Sequence, residues 1–281
     1  MSRFSVLLLD KKEGETSFKS LSQVKREYKG SKVGHAGTLD KFATGLMLVL
    51  TGEATRLNPL FSGMDKSYRA AIRFGSETYT LDPEGEVIAT SSIPSLETVE
   101  SVIRSFVGTQ EQVPPVYSAI HVEGKRAYQS ARQGKSVDMP TRSITVYSAK
   151  LISYTDGLAI VDFSVSKGTY IRSLARDIGL RSSSRAHLEK LDRFTLGPYS
   201  KSDIGKDTDK LLEMLPLGRI DFSSSFQKTL KNGYFDKKGI LSLKEGDNSY
   251  FMLYIDNEFI GIISKENGKY SIIALKNREE L

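Results

Sequence analysis

A chain of 281 residues, 39% of them hydrophobic, is long enough for one large domain with a small one attached. It has no cysteine, and its three histidines, His35, His121 and His187, form no helical i, i+4 pair, so neither a disulfide framework nor a metal site is expected. The net charge of +6 falls entirely in residues 1–199, with 27 basic against 21 acidic, while residues 200–281 carry 13 of each. A basic body suits a polyanionic partner, and with no membrane-length apolar run and no signal peptide the expected location is cytoplasmic.

Phe4 to Leu9 reads as a first strand, followed by a turn at Lys11–Glu15. Thr16 or Ser17 can cap a helix reaching about Tyr28, with Phe18, Leu21, Val24 and Tyr28 near helical spacing and Gly30 just past its end. Residues 33–57 open with a glycine-punctuated polar loop holding His35, Thr38, Asp40 and Thr44. An apolar run, Leu46–Leu50, follows with the length and branching of a buried strand, then a turn at Thr51–Thr55. Asp40 thus hangs on a loop anchored in the core at its far end, an arrangement that lets a group reach a ligand and still be aimed.

Lys66–Phe74 alternates as a strand, and Thr78–Gly85 is a polar loop. Leu96, Val99, Val102, Ile103 and Phe106 make one helical face. Gln112–His121 is extended around Pro114-Pro115. Gly124–Gly134 predicts a short helix in which Lys125, Arg126 and Arg132 flank a tyrosine, a mixture suited to phosphate and base contacts. Strands are expected at Ser143–Ile152 and Ala159–Ser166, then a helix from about Thr169 to Leu180 with Ile171, Leu174, Ala175 and Ile178 inward and Arg172 and Arg176 together on another side. Beyond Pro198 come a short helix near Leu211–Met214, a serine-rich linker at Ser223–Ser225, and strands around Ile240, Tyr250–Ile255, Phe259–Ile263 and Tyr270–Leu275, with Asp256-Asn257 as a hairpin turn.

The stretch Gly34-His-Ala-Gly-Thr-Leu-Asp40, then Ala43-Thr-Gly45, the apolar strand and Gly52-Glu-Ala-Thr55 resembles motif II of the TruB family of tRNA pseudouridine synthases. Asp10 to Ser17 resembles motif I, Lys66-Ser-Tyr68 the Lys-x-Tyr segment, Gly168-Thr-Tyr-Ile-Arg172 motif III, and Ala186-His-Leu-Glu-Lys-Leu-Asp-Arg193 a further shared string. Three positions depart from the family pattern: Lys12 replaces a proline, Lys19 stands near an expected acidic residue, and Asp192 replaces a basic one.

The resemblance implies an α+β pseudouridine synthase fold around a twisted, mostly antiparallel sheet, at residues 1–222, and a small β-rich PUA-like domain at 223–281. It implies an enzyme that works on the T stem-loop of tRNA and isomerises the uridine at tRNA position 55 after flipping it out; the absence of a nucleotide-phosphate loop, metal cluster or dinucleotide fingerprint fits a reaction needing no cofactor, and a monomer is the expectation. By the same resemblance Asp40 is the nucleophile and Arg172 its ion-pair partner. Tyr68 stacks on the base and is a candidate proton carrier. Tyr170 and Leu191 wall the uracil pocket, and His35 contacts the everted nucleotides. Lys125, Arg126, Arg132, His187 and Arg193 are candidate RNA contacts. Two other readings compete. A non-catalytic RNA-binding or tRNA-folding factor would not need Asp40, and a phosphate-binding metabolic enzyme would need a helix starting directly after Gly34–Gly37, which Thr38–Phe42 does not offer.

Overall fold

The structure, a computed structural model, describes residues 4–118, 121–122, 125–126, 138–246 and 249–276, with backbone alone at 121, 122, 125 and 126. Its strands in chain order are β1 Ser5–Lys11, β2 Val33–Ala36, β3 Thr44–Thr51, β4 Lys66–Phe74, β5 Ser76–Thr78, β6 Val87–Thr90, β7 Gly108–Gln112, β8 His121–Val122, β9 Lys125–Arg126, β10 Arg142–Thr155, β11 Leu158–Val165, β12 Ala186–Leu196, β13 Tyr199–Ser200, β14 Gly218–Phe222, β15 Ile240–Lys244, β16 Tyr250–Ile255, β17 Glu258–Glu266 and β18 Lys269–Leu275. The helices that bear on the site are α1 Ser17–Ser20, α2 Ser22–Glu27, α3 Asn58–Ser62, α4 Leu96–Ser105 and α5 Ile171–Arg181.

Nine strands form one mixed sheet in the order β1-β3-β12-β4-β11-β10-β7, with β2 added to β3 and β13 to β12. Every pairing in it is antiparallel except β3 with β12, whose parallel ladder is only two pairs long, Asp192–Thr44 and Arg193–Gly45. That short parallel contact brings the end of the Asp40 loop against the second half of β12. Gly45 makes the approach possible. Its φ is +109°, and an added Cβ would meet the backbone nitrogen of Arg193 at 2.6 Å and also the Arg193 carbonyl oxygen.

The sheet is covered by apolar side chains of three origins. Val99, Ile103, Phe106, Ile171, Leu174, Ala175 and Ile178 from α4 and α5 pack with Ala70, Ile72, Val161 and Leu188. Leu21 and Val24 pack with Met47 and Val49 on one face of β3. On the other face, Leu46, Leu48 and Leu50 meet Phe4, Val6 and residues of the second sheet, including Met252, Tyr254, Phe259 and Ile262. This two-sided burial explains why Leu46–Leu50 is apolar without alternation.

The second sheet runs β15-β14-β16-β17-β18. It takes in Gly218–Phe222, ahead of the serine-rich stretch, and β14 lies parallel to β16. Asp256 and Asn257, with φ of 50° and 65°, make the tight turn between β16 and β17.

Two local expectations are corrected. The helix expected from Thr16 to Tyr28 is two helices, broken at Leu21, which turns inward to the core instead of continuing the first turn. Thr16 does cap α1, accepting from the Lys19 amide at 3.1 Å. The helix expected at Gly124–Gly134 falls mostly outside the described residues, and Lys125–Arg126 within it is strand, paired with His121–Val122.

Candidate active site

Asp40 lies on the connection between β2 and β3, and several backbone groups around it are held. The buried Ser17 hydroxyl serves both the amide and the carbonyl of Leu39, each at 2.9 Å. Lys11 is 1% exposed, and its ammonium donates to the carbonyls of Lys12, Lys41 and Ala43 at 3.0, 3.2 and 2.5 Å. The Gly14 amide donates to the Lys41 carbonyl at 2.9 Å. Arg193, also 1% exposed, donates from Nε to the Leu46 carbonyl at 2.7 Å and from Nη2 to the Gly37 carbonyl at 3.0 Å. Motif I and the β12 arginine therefore act on the loop by pinning its main chain.

Arg172 enters from the first turn of α5. Its guanidinium is 5% exposed, not part of a surface arginine pair with Arg176. Nη2 donates to Asp40 Oδ1 at 3.0 Å, and Nε lies 2.9 Å from Oδ2, although its N–H does not point along that contact. The other side of the guanidinium is fixed as firmly. Nη1 donates to Asp82 Oδ2 and to the Thr80 carbonyl, both at 3.1 Å, and Nη2 also donates to the Tyr117 carbonyl at 2.9 Å. Asp82 is buried in turn, its Oδ1 accepting from Thr80 Oγ1 at 2.5 Å and from the Glu84 amide at 3.0 Å. The result is an aspartate–arginine–aspartate chain across the site.

The Asp40 side chain is 37% exposed because it borders an open cavity, yet it is closely surrounded by protein. Burial pushes its carboxyl up from the ordinary aspartate value; Arg172 opposes that shift, and the nearby charges of Asp82 and Glu84 reinforce it.

A cavity of about 500 Å³ opens over this carboxylate. Tyr68, Tyr170, Arg172 and Leu191 line it together with Asp40, so five of the expected catalytic and pocket residues share one space. Tyr68 stands on β4 opposite Arg193 of β12 and Phe163 of β11. Tyr170 immediately precedes α5. The buried amide of Gln112 brackets its backbone, accepting from its N–H at 2.9 Å and donating to its carbonyl at 3.1 Å, while Arg142 stands 5.4 Å over its ring.

Of the other expected residues, Arg193 lines the cavity too, while His35 and His187 are not among its described lining residues. His35 is on β2 beside Val49; its buried Nδ1 has no partner among the described residues, and burial with the Arg193 charge lowers its pKa, which favours a neutral imidazole. His187 is buried at the other end of β12, its Nδ1 2.9 Å from the Ser76 carbonyl, and is not a residue of the cavity. His187 is enclosed by protein groups, whereas Arg193 both braces the Asp40 loop and lines the cavity. The side chains of Lys125, Arg126 and Arg132 fall outside the described residues.

Of the departures, Lys12 and Lys19 are surface side chains near Asp10 and Glu15. Asp192 accepts from Thr44 Oγ1 and from Lys201, both at 2.8 Å, so its charge is locally balanced. Asp82, Lys11 and Gln112 were not singled out as site residues from sequence, and Ser17 only as a possible helix cap; burial against main-chain groups from distant segments leaves no periodic signal.

Residues 25–171 match the model of the TruB family pseudouridylate synthase N-terminal domain. The chain belongs to the TruB family. It is 38% identical over 271 residues to a protein named tRNA pseudouridine synthase B from Borreliella burgdorferi strain ZS7, covering 95% of this chain and 93% of that one. It is 44% identical over 279 residues to the protein of that name from Chromohalobacter salexigens, covering 92% and 89%. Among solved structures, a chain of a Cbf5-Nop10-Gar1 complex superposes with a TM-score of 0.69 at 22% identity, over 97% of this chain and 83% of that one. That likeness bears on the fold, which is the pseudouridine synthase fold. The family member described here is accordingly an isomerase.

Proposed function

We propose that the chain converts a uridine of the tRNA T loop, at position 55, to pseudouridine, with Asp40 as nucleophile. The observation that carries this reading is the Asp40–Arg172 pair at the edge of a cavity also lined by Tyr68, Tyr170 and Leu191. In the overall change the N1–C1′ bond breaks, the uracil turns over, a C5–C1′ bond forms, the C5 proton leaves and N1 gains one. Attack by the carboxylate at C1′, attack at C6, and elimination to a glycal all need Asp40 ionised as the reaction begins. Arg172 supplies the opposing charge and aims the two oxygens. Tyr68 offers a ring for the base and a hydroxyl within the same cavity. Removing a uridine from its stack costs on the order of a few kcal/mol, which pocket stacking and backbone contacts offset.

The test is tritium release from a T-arm transcript labelled at uridine C5. Wild type releases label; Asp40→Asn binds the RNA and releases none. Arg172→Lys loses rate far more than affinity, because an ammonium cannot span Asp40, Asp82 and two carbonyls. Normal turnover by Asp40→Asn would remove the nucleophile assignment. A collapse of affinity with intact rate in Arg172→Lys would make that arginine a phosphate anchor.

A further inference from the structure

Three more cations line the cavity: Lys41 pairs with Glu84 at 3.1 Å, whereas Lys66 and Arg193 have no carboxylate among the described residues. Lys66 begins β4 two residues before Tyr68 and is 7% exposed; Arg193 faces Tyr68 from β12. Among the described residues neither forms an ion pair. The Lys66 ammonium donates to the carbonyls of Ser62 and Met64, which leaves a third N–H, and Arg193 Nη1 has no hydrogen-bond partner among the described residues. The two side chains converge on one point: an added Cβ at Gly37 would lie 3.2 Å from Arg193 Nη1 and 3.7 Å from Lys66 Cε.

Charge in the cavity is therefore divided. Arg172 is matched by Asp40 and Asp82, whereas Lys66 and Arg193 leave an unmatched positive pair. Buried like charges side by side are unfavourable unless an anion joins them. The Ser62 carbonyl at the end of α3 and the Met64 carbonyl occupy two of the three ammonium N–H groups but bring no full countercharge.

On the reading given above, the substrate brings such an anion with every nucleotide. We propose that Lys66 and Arg193 form an anion site for a phosphodiester next to the flipped uridine, so that the nucleotide is held by its backbone at this end of the cavity and its sugar is offered to Asp40. Burial and Arg193 bring Lys66 down to about 8, with Lys167 adding to the fall and Asp65 opposing it. A phosphate would favour the protonated amine, so binding through this site weakens as pH rises past that value.

The experiment uses the full chain and T-arm RNAs in which one neutral methylphosphonate replaces the phosphate on the 5′ or the 3′ side of the target uridine. Affinity is read by anisotropy and chemistry by single-turnover tritium release. One of the two substitutions is expected to weaken wild-type binding about tenfold and lower the salt slope by about one. Lys66→Met should show a similar loss on native RNA and no further loss on that modified RNA, and Lys66→Arg should restore binding. Wild-type affinity for native RNA should fall between pH 7 and 9.5, while the modified RNA shows a flat profile. Should Lys66→Met not fold, the wild-type pH profiles on the two RNAs decide alone. Independent losses that multiply, or equal pH profiles on both RNAs, would overturn the site. Normal tritium release with no coupling removes this site and leaves the isomerase reading intact; coupling without release does the reverse.

Discussion

Asp82 is the residue whose replacement tests the architecture most directly. Its two oxygens have divided duties: Oδ1 accepts from Thr80 Oγ1 and the Glu84 amide, and Oδ2 accepts from Arg172 Nη1. Asparagine has one acceptor and one donor in the same shape, so in either orientation its amide N–H₂ faces another donor. With the carboxylate and arginine side chains 6% and 5% exposed, water cannot readily take over. Losing one partner of a buried ion pair costs roughly 3 to 5 kcal/mol. For a chain of 281 residues the lower figure corresponds to a fall in Tm of about 5 °C. The guanidinium, released on that side, would aim Asp40 less well, and turnover should drop about tenfold to a hundredfold. Calorimetry and tritium release on Asp82→Asn give both readings. A melting point within about 1 °C of wild type, together with normal turnover, would show that Asp82 does not hold Arg172.

Three further outcomes follow from the same geometry. Because burial raises the Asp40 carboxyl, the acid limb of kcat/KM should lie above the ordinary aspartate range, and it should move to lower pH in Asp82→Asn, which removes a charge that pushes Asp40 up. The same shift has a sign for stability: a carboxyl raised in the folded state favours folding while protonated, and that contribution is lost as pH rises through the folded value. Asp40→Asn should therefore be no less stable than wild type to urea at pH 7; a clearly lower midpoint would contradict the assigned direction. Gly45→Ala places a methyl on the backbone of Arg193, which neither chain can move away from without separating β3 from β12. A loss of at least about 2 kcal/mol is expected, measured by denaturant unfolding; wild-type stability would mean that this contact is not close.

The sequence made the strands legible wherever burial is one- or two-sided and continuous. Lys66–Phe74 and Tyr250–Ile255 have the bounds read from their residues, and Leu46–Leu50 is buried as its composition demands. The break at Leu21 was not legible, because one inward-turning leucine fits a helical period as well as a kink. The site was legible through motif resemblance for the residues that line the cavity. What escaped was the support behind them. Lys11 looks like part of a charged turn, Asp82 like a loop acid and Arg193 like a surface base. Their roles depend on burial against main-chain carbonyls contributed by distant strands, which linear spacing does not encode.

The shared apolar layer between β3 and the second sheet has a consequence for how the protein can be divided. Leu46, Leu48 and Leu50 sit directly after the Asp40 loop, and what shields them includes Met252, Tyr254, Phe259 and Ile262. Cutting the chain at the serine-rich stretch would hand the floor beneath the nucleophile to solvent. The carboxyl-terminal strands therefore act as foundation for chemistry carried out some two hundred residues earlier in the chain, and any transplant of this active site must bring them along.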